Sequence, residues 1–168
     1  MGQSLVTSRN LQGEFQTTQT LCRLIDGIII KKTSFRSILI VDNDKIDSLE
    51  LSKKIIEECY FDIGKAVPIL EEVSSNFDDI KHCAVKVGLS HIPKGDSFSL
   101  RINKRGSHSL DKPTSDLESD IGGSIYDALE KKHNRTPRVN LNDPDVKVIV
   151  EILGPKSIIG IVRKEWLE

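Results

Sequence analysis

The chain has 168 residues, enough for one domain or two small ones with a hydrophobic core that needs no disulfides. Lysine and arginine number 24 against 25 aspartates and glutamates, so the net charge of −1 does not by itself indicate a nucleic-acid partner, and any basic site must be local. The three cysteines are widely spaced and no apolar run reaches the roughly 20 residues of a membrane span, so we expect a cytoplasmic protein with buried, reduced thiols and neither a zinc site nor a membrane partner.

The first part of the chain predicts a ferredoxin-like domain. Short β-branched runs predict strands at residues 4–8, 28–33, 37–42 and 66–72. Helices are predicted at residues 11–25 and 47–61, the second with Asp47 as its N-cap. Helical spacing predicts that these helices bury Phe15, Leu21, Cys22, Ile25, Leu49, Ile56 and Tyr60. The order β-α-β-β-α-β is ferredoxin-like, and we assign residues 1–73 to this domain.

The second part, residues 74–168, predicts a separate α/β domain, which makes the whole chain α+β. A helix is expected at residues 75–92, and a strand at 97–103 alternates apolar with polar side chains. Ser115 and Glu118 predict a capping box for a further helix, whose apolar stripe is Leu117, Ile121, Ile125 and Leu129. Residues 139–145 predict a turn-rich connector, and residues 146–153 and 156–166 predict two strands joined by a short hairpin turn.

Positive charge is concentrated between residues 97 and 115, whereas the rest of the chain mixes its charges evenly. Arg101 and Asn103 share the polar face of a predicted strand, and Lys104 and Arg105 extend that face into a turn at Gly106. Two interpretations remain open from these residues alone: a solvated strand end, or a contact for an anion such as phosphate. Three acidic residues in the next helix, Asp116, Glu118 and Asp120, would repel a phosphate placed on its axis. The strand end and the loop are therefore the better anion contact.

No sequence motif indicates catalysis. The chain has no Gly-rich loop after a strand, no nucleophile elbow and no zinc motif, so we expect no enzyme activity, catalytic residue, metal or cofactor. Cys59 follows two glutamates, which disfavour its thiolate, and a place in the core is the better interpretation. The pair Asp143 and Asp145 indicates a turn, and Gly122–Gly123 indicates close packing of a helix on the sheet.

Ordered sequence marks in this second part resemble the THUMP domain family. They are KRGSH at 104–108, Ile-Gly at 121–122, Val-Asn-Leu at 139–141, Pro-Asp at 144–145 and Val-Glu-Ile at 150–152. The resemblance implies a tRNA-binding protein whose RNA contacts are Arg101, Asn103, Lys104, Arg105, His108 and Lys112. Because the chain stops at Glu168, it is most similar to the stand-alone class of adaptors for tRNA cytidine acetylation. That class implies a separate acetyltransferase as partner.

Other functions remain open beside this one. A ferredoxin-like regulatory domain would use the same cations to hold a small anionic ligand. The chain would alternatively be the tRNA-binding subunit of another tRNA modification enzyme, or an enzyme acting on RNA through an unrecognised site. RNA is preferred over a small anion because the cations extend along a loop and do not converge on a Gly-rich pocket.

Overall fold

The computed structural model describes residues 1–9, 13–59 and 63–167. It has two compact units, Met1–Ile69 and Leu70–Trp166, and the fold class is α+β, as predicted. The predicted start of the first helix at Leu11 and the predicted positions of Tyr60 and Phe61 in the second lie outside the described residues.

The first unit has the ferredoxin-like order of strands and helices. Its elements are β1 (Gly2–Ser8), α1 (Gly13–Leu24), β2 (Ile28–Lys32), β3 (Ile38–Asn43), α2 (Ser48–Glu58) and β4 (Ile63–Pro68). The strands form an antiparallel sheet in the order β2-β3-β1-β4. Pro68, which cannot donate a ladder hydrogen bond, ends β4 at the edge of this sheet.

The helices of the first unit confirm one predicted cap and correct the predicted buried faces. Asp47 caps α2, since its Oδ1 accepts the backbone N–H of Glu50 at 2.8 Å. In α1 the predicted core residues Phe15 and Cys22 are exposed. Leu21, Ile25 and Ile56 are buried as predicted, and Leu49 is half-buried. The two helices also bury residues that were not predicted: Thr17, Leu51, Ser52 and Ile55. The apolar residues of these helices are too few to define the helix phase, so the buried face includes small polar side chains.

The second unit contains a five-stranded sheet with two helices. Its elements are β5 (Glu71–Ser74), α3 (Phe77–His91), β6 (Ser97–Arg105), α4 (Thr114–His133), β7 (Arg138–Val139), β8 (Val146–Leu153) and β9 (Lys156–Arg163), followed by a 3₁₀ turn, Lys164–Leu167. The order is β5-β9-β8-β6-β7, with β6 parallel to both of its neighbours. Because β5 pairs with β9, the second unit begins at Leu70, earlier than the predicted boundary at 73/74.

The core of the second unit lies between the sheet and the helices α3 and α4. All four residues of the predicted α4 stripe are buried: Leu117, Ile121, Ile125 and Leu129. Gly88 lets α3 approach α4 closely, since a Cβ there would lie 3.0 Å from Cγ2 of Ile125. The hairpin turn between β8 and β9 is confirmed, and Gly154 adopts the positive φ of 63° that such a turn requires.

Two sequence expectations about the chain as a whole have different outcomes. Cys59 is buried, as predicted, but Cys22 is exposed and Cys83 is half-buried, so buried thiols were wrongly predicted for two of the three. Among the helices that the structure describes, none is long and apolar enough to cross a membrane.

Candidate nucleic-acid interface

The cations of β6 lie on different faces of the sheet. Alternate side chains of a strand point to opposite faces, so Arg101, Asn103 and Arg105 lie together. Lys104 lies on the other face with the buried Leu100 and Ile102. The expectation that Lys104 shares a face with Arg101 and Arg105 is therefore wrong, because the strand continues through Arg105 and has not yet turned at position 104.

Glu151 on β8 neutralises part of the predicted basic face. Its side chain is 0% exposed, and Oε2 accepts Nη1 of Arg105 at 2.5 Å. Its Oε1 accepts Nδ2 of Asn103 at 3.1 Å. In the parallel register Glu151 lies directly opposite Asn103, which places the carboxylate between the two donors. Asn103 and Arg105 thus bind a buried carboxylate. Removal of one partner from such a buried ion pair destabilises the fold.

Lys104 and His108 organise the loop that follows β6. Nζ of Lys104 donates to the carbonyls of Leu110 at 3.3 Å and Lys112 at 2.6 Å. Nδ1 of His108 accepts the backbone N–H of Leu110 at 3.2 Å. Gly106 enters the loop with φ at 78°, a conformation that a residue with a Cβ rarely adopts. The ammonium group of Lys104 therefore forms its hydrogen bonds with carbonyl groups of the loop that follows it.

Lys112 is exposed but has an acidic partner. Its Nζ lies 2.9 Å from Oδ2 of Asp120 and 5.4 Å from the centre of the Phe77 ring. The hydrogen bond to Asp120, and then the charge of that carboxylate, raise the pKa of Lys112 above its usual value. The ammonium group remains charged at neutral pH, and its nearest charged partner is internal.

The predicted capping box at the start of α4 is wrong. Pro113 occupies the N-cap position without a side-chain cap, and Ser115 lies inside the helix. Oε2 of Glu118 instead accepts the backbone N–H of Ile102 on β6 at 3.0 Å. Pro113 fixes the backbone at the start of the helix, so Glu118 does not serve as a cap and can reach the edge of β6. Local sequence spacing could not reveal this contact.

Arg101 is the residue of the predicted set that faces solvent without an internal partner. It is exposed, and its side chain forms no hydrogen bond or ion pair within the described parts of the chain. Direct RNA contact by the others, Asn103, Lys104, Arg105, His108 and Lys112, stays a prediction. Asn103 and Arg105 share Glu151 as an internal partner, 48 and 46 residues away, which spacing within the sequence could not place.

A second group of cations, which the sequence analysis missed, surrounds the C-terminal end of α4. We call it the α4 C-terminal cluster, and its exposed members are Lys94, Lys131, Lys132, Arg135 and Arg138. Nζ of Lys132 donates to the carbonyl of Leu89, and Nη1 of Arg138 donates to the carbonyl of Gly95 at 2.9 Å. These bonds draw the end of α4 and the strand β7 to the loop after α3. The run of cations at 131–138 was the available clue, but Lys94 joins them only through the fold.

The remaining sequence hypotheses have structural outcomes. Asp145 Oδ2 accepts the N–H of Ser97 at 2.8 Å, and Asp143 pairs with Lys164 at 2.6 Å, so both carboxylates support the turn before β8. The prediction that Gly122–Gly123 packs closely against the sheet is wrong, because a Cβ at either glycine would meet no atom within 4 Å. Within residues 1–9, 13–59 and 63–167, no three His, Cys, Asp or Glu side chains group to hold a metal.

Comparison with known proteins identifies the second unit. The family model of the THUMP domain matches residues 74–162, just over half of the chain. The tRNA sulfurtransferase of Haemophilus ducreyi is 25% identical over 156 residues, covering 83% of this chain and 30% of that protein. The tRNA (guanine(6)-N2)-methyltransferase of Archaeoglobus fulgidus is 32% identical over 96 residues, covering 53% of this chain and 24% of the enzyme.

The fold has counterparts among solved structures. A 4-thiouridine synthetase–RNA complex with bound ATP matches 97% of this chain and 41% of its own, with a TM-score of 0.63. Sequence identity in that match is 18%, so the likeness concerns the fold alone. The chain spans about a third or less of the two enzymes named above and less than half of the synthetase chain.

Proposed function

Because the chain belongs to the THUMP domain family, we propose that it binds tRNA and takes part in tRNA modification. Two of its relatives are named as a tRNA sulfurtransferase and a tRNA methyltransferase, and one protein of the same fold is a 4-thiouridine synthetase in complex with RNA. The observation that supports the proposal most directly is local: five exposed cations gather at one end of α4 in a chain of net charge −1.

The proposed RNA-binding surface combines Arg101 with the α4 C-terminal cluster. Ser97 pairs with Arg138, and Arg101 lies four residues further along β6, or roughly 13 Å away. Exposed lysine and arginine side chains bind phosphates without reading base identity, so they position a tRNA more than they select a sequence. Asn103, Lys104 and Arg105 support this surface by holding the strand end and its loop.

Salt-dependent binding of total tRNA tests this proposal. Replacing Arg101 with alanine should reduce the slope of log affinity against log salt by roughly 0.7–0.9, the value for one phosphate contact. Replacing Lys131, Lys132, Arg135 and Arg138 together should reduce it by roughly four such steps. Lys53→Ala with Lys54→Ala, exposed on α2 in the first unit, is the matched control. Salt-independent binding, or equal losses in all variants, would contradict the proposed surface.

The role within modification is proposed to be that of an adaptor without its own catalysis. The resemblance of residues 104–152 to the THUMP marks of tRNA cytidine acetylation adaptors favours a separate tRNA cytidine acetyltransferase as partner. The chain would raise the effective concentration of tRNA at the partner's active site, which lowers the apparent KM for tRNA and leaves kcat nearly unchanged. The measurement is acetylcytidine formation on tRNA by the acetyltransferase with and without this protein. An unchanged rate would refute the adaptor role.

A second candidate role is tRNA binding for thiolation or methylation. The comparisons favour it, since the named relatives are a sulfurtransferase and a methyltransferase and the chain spans only part of each. The same assay distinguishes the two roles when sulfur or methyl transfer to tRNA is measured beside acetylation. Modification of tRNA by this chain alone, supplied with a common cofactor, would contradict the non-enzyme proposal.

A further inference from the structure

A groove lies between α4 and the edge of β6 in the second unit. Its volume is about 440 Å³, within the range of about 300–1,000 Å³ for small-molecule sites. One wall is the strand from Phe98 to Arg101, and Val139 and Leu141 form the end nearer β7. The lining is thus largely apolar, and its two charged members are Arg101, whose guanidinium group is exposed, and Glu118, whose Oε2 accepts the N–H of Ile102.

The edge of β6 is open over a single residue inside this groove. Backbone groups alternate between the two sides of a strand. On the side away from β8, the carbonyl of Phe98 accepts Asn140 N–H at 3.1 Å, and the N–H of Ile102 donates to Glu118. Leu100, between them, directs its N–H and C=O to the same side, and neither has a partner among the described residues. One donor and one acceptor are therefore unpaired at this edge.

The wall contributed by α4 is built from small side chains. Ser115, Ser119, Gly122 and Gly123 line it, and Tyr126 stands at the end of the row. Space beside the glycines is open, since an added Cβ at either would meet nothing within 4 Å. The wall therefore leaves room for a flat group, and the half-buried ring of Tyr126 provides a surface on which such a group can stack.

A polar atom at the groove lacks a protein partner. Ser99 lines the groove beside Arg101 and is 2% exposed, yet its hydroxyl has no hydrogen-bond partner in the described structure. A buried hydroxyl left without a partner is costly, so each such group needs an explanation. The Ser99 hydroxyl is closed to solvent, so a ligand with polar atoms at its edge would meet the unpaired backbone groups of Leu100 and not this hydroxyl.

We propose that this groove holds one unpaired nucleotide of the bound RNA, which rests on the proposed tRNA binding. The base would lie along the glycines of α4 with its polar edge at Leu100, and its phosphate would meet Arg101. A peptide strand is a poorer occupant, because Asn140 and Glu118 occupy the strand edge on either side and leave only one open position. The cations Arg101 and Arg138 on either side of the apolar groove suit a chain that alternates bases with phosphates.

Filling the groove tests this inference separately from RNA binding as such. The probes are a fully paired RNA hairpin and the same hairpin with a short unpaired tail, measured by fluorescence anisotropy at one salt concentration. The tail should raise the affinity of the parent protein about tenfold or more, the value of one stacked base. Gly122→Leu should abolish that gain while its affinity for the blunt hairpin remains within about twofold of the parent.

The controls separate the outcomes. Ser124→Leu, on α4 outside the groove, should keep the tail-dependent gain in affinity. If Gly122→Leu fails to fold, Ser119→Leu repeats the test on the same wall of the groove. Retention of the gain in both groove variants, or equal loss for both RNAs, overturns the nucleotide site while tRNA binding stands. Failure of the parent protein to bind either RNA overturns the proposed function, and the nucleotide site with it.

Discussion

Replacing Arg105 with alanine should destabilise the second unit even though the residue lies at the end of a strand. The variant removes the cation paired with Glu151, a carboxylate that is 0% exposed. The hydrogen bond from Asn103 Nδ2 to the other oxygen of Glu151 remains but supplies no charge. We therefore expect a loss of stability that depends on the buried acid and not on RNA.

The size of this loss follows from the geometry of the pair. Removing one partner of a buried ion pair costs about 3–5 kcal/mol, because the other charge stays buried and uncompensated. The side chain of Arg105 is 28% exposed and Asn103 remains bound, which places the expected loss near the lower end, at about 3 kcal/mol. For a urea dependence of about 1–3 kcal/mol per molar, the unfolding midpoint should fall by about 1–3 M.

Urea unfolding followed by tryptophan fluorescence measures this change. Trp166 is the single tryptophan of the chain and is buried in the second unit, so its emission reports on that unit. Lys156→Ala is the matched control, since its ion pair with Glu72 is exposed and should contribute at most about 1 kcal/mol. The double variant Arg105→Met with Glu151→Gln removes both charges and should recover much of the lost stability.

Unfolding of Arg105→Ala at the same urea concentration as the parent protein would refute this prediction. A double variant less stable than the single one would refute it as well, because the loss would then come from something other than the buried carboxylate. In either case Arg105 would return to the set of cations available for RNA.

Three further predictions concern the second unit. Lys104→Met should speed amide hydrogen exchange in the loop after β6, because two carbonyls lose their donor; unchanged exchange would show that the loop is held otherwise. Gly88→Ala should lower the free energy of unfolding by about 1–3 kcal/mol through overpacking, whereas Gly123→Ala should be neutral or slightly stabilising, and the same urea experiment decides both. The backbone N–H of Ser97, and then its hydroxyl, hold the pKa of Asp145 below 3.8, so the carboxylate stabilises the fold above that pH and the effect is lost as pH falls through the lowered pKa. Urea midpoints between pH 6 and 2 should therefore fall less steeply in Asp145→Asn, and identical slopes would refute that role.

The sequence by itself determined the features that depend on short spacing. The stripe from Leu117 to Leu129 predicted the buried face of α4, because four apolar residues at helical spacing leave only one phase. The cap at Asp47 is local as well, since its acceptor and the Glu50 N–H are three residues apart. The order of strands and helices likewise predicted both the ferredoxin-like unit and the α+β class.

Only the tertiary structure decided which cations remain available to bind a partner. Arg105 and Glu151 are separated by 46 residues, and the parallel register of β6 with β8 brings the acid between Arg105 and Asn103. Likewise, Arg138 reaches the loop at Gly95 across 43 residues, which helps to gather the α4 C-terminal cluster. Periodicity reports on neighbours within a few residues, whereas charge neutralisation depends on distances in space. A charged run in a sequence therefore predicts a basic surface only after strand pairing has assigned its counter-ions.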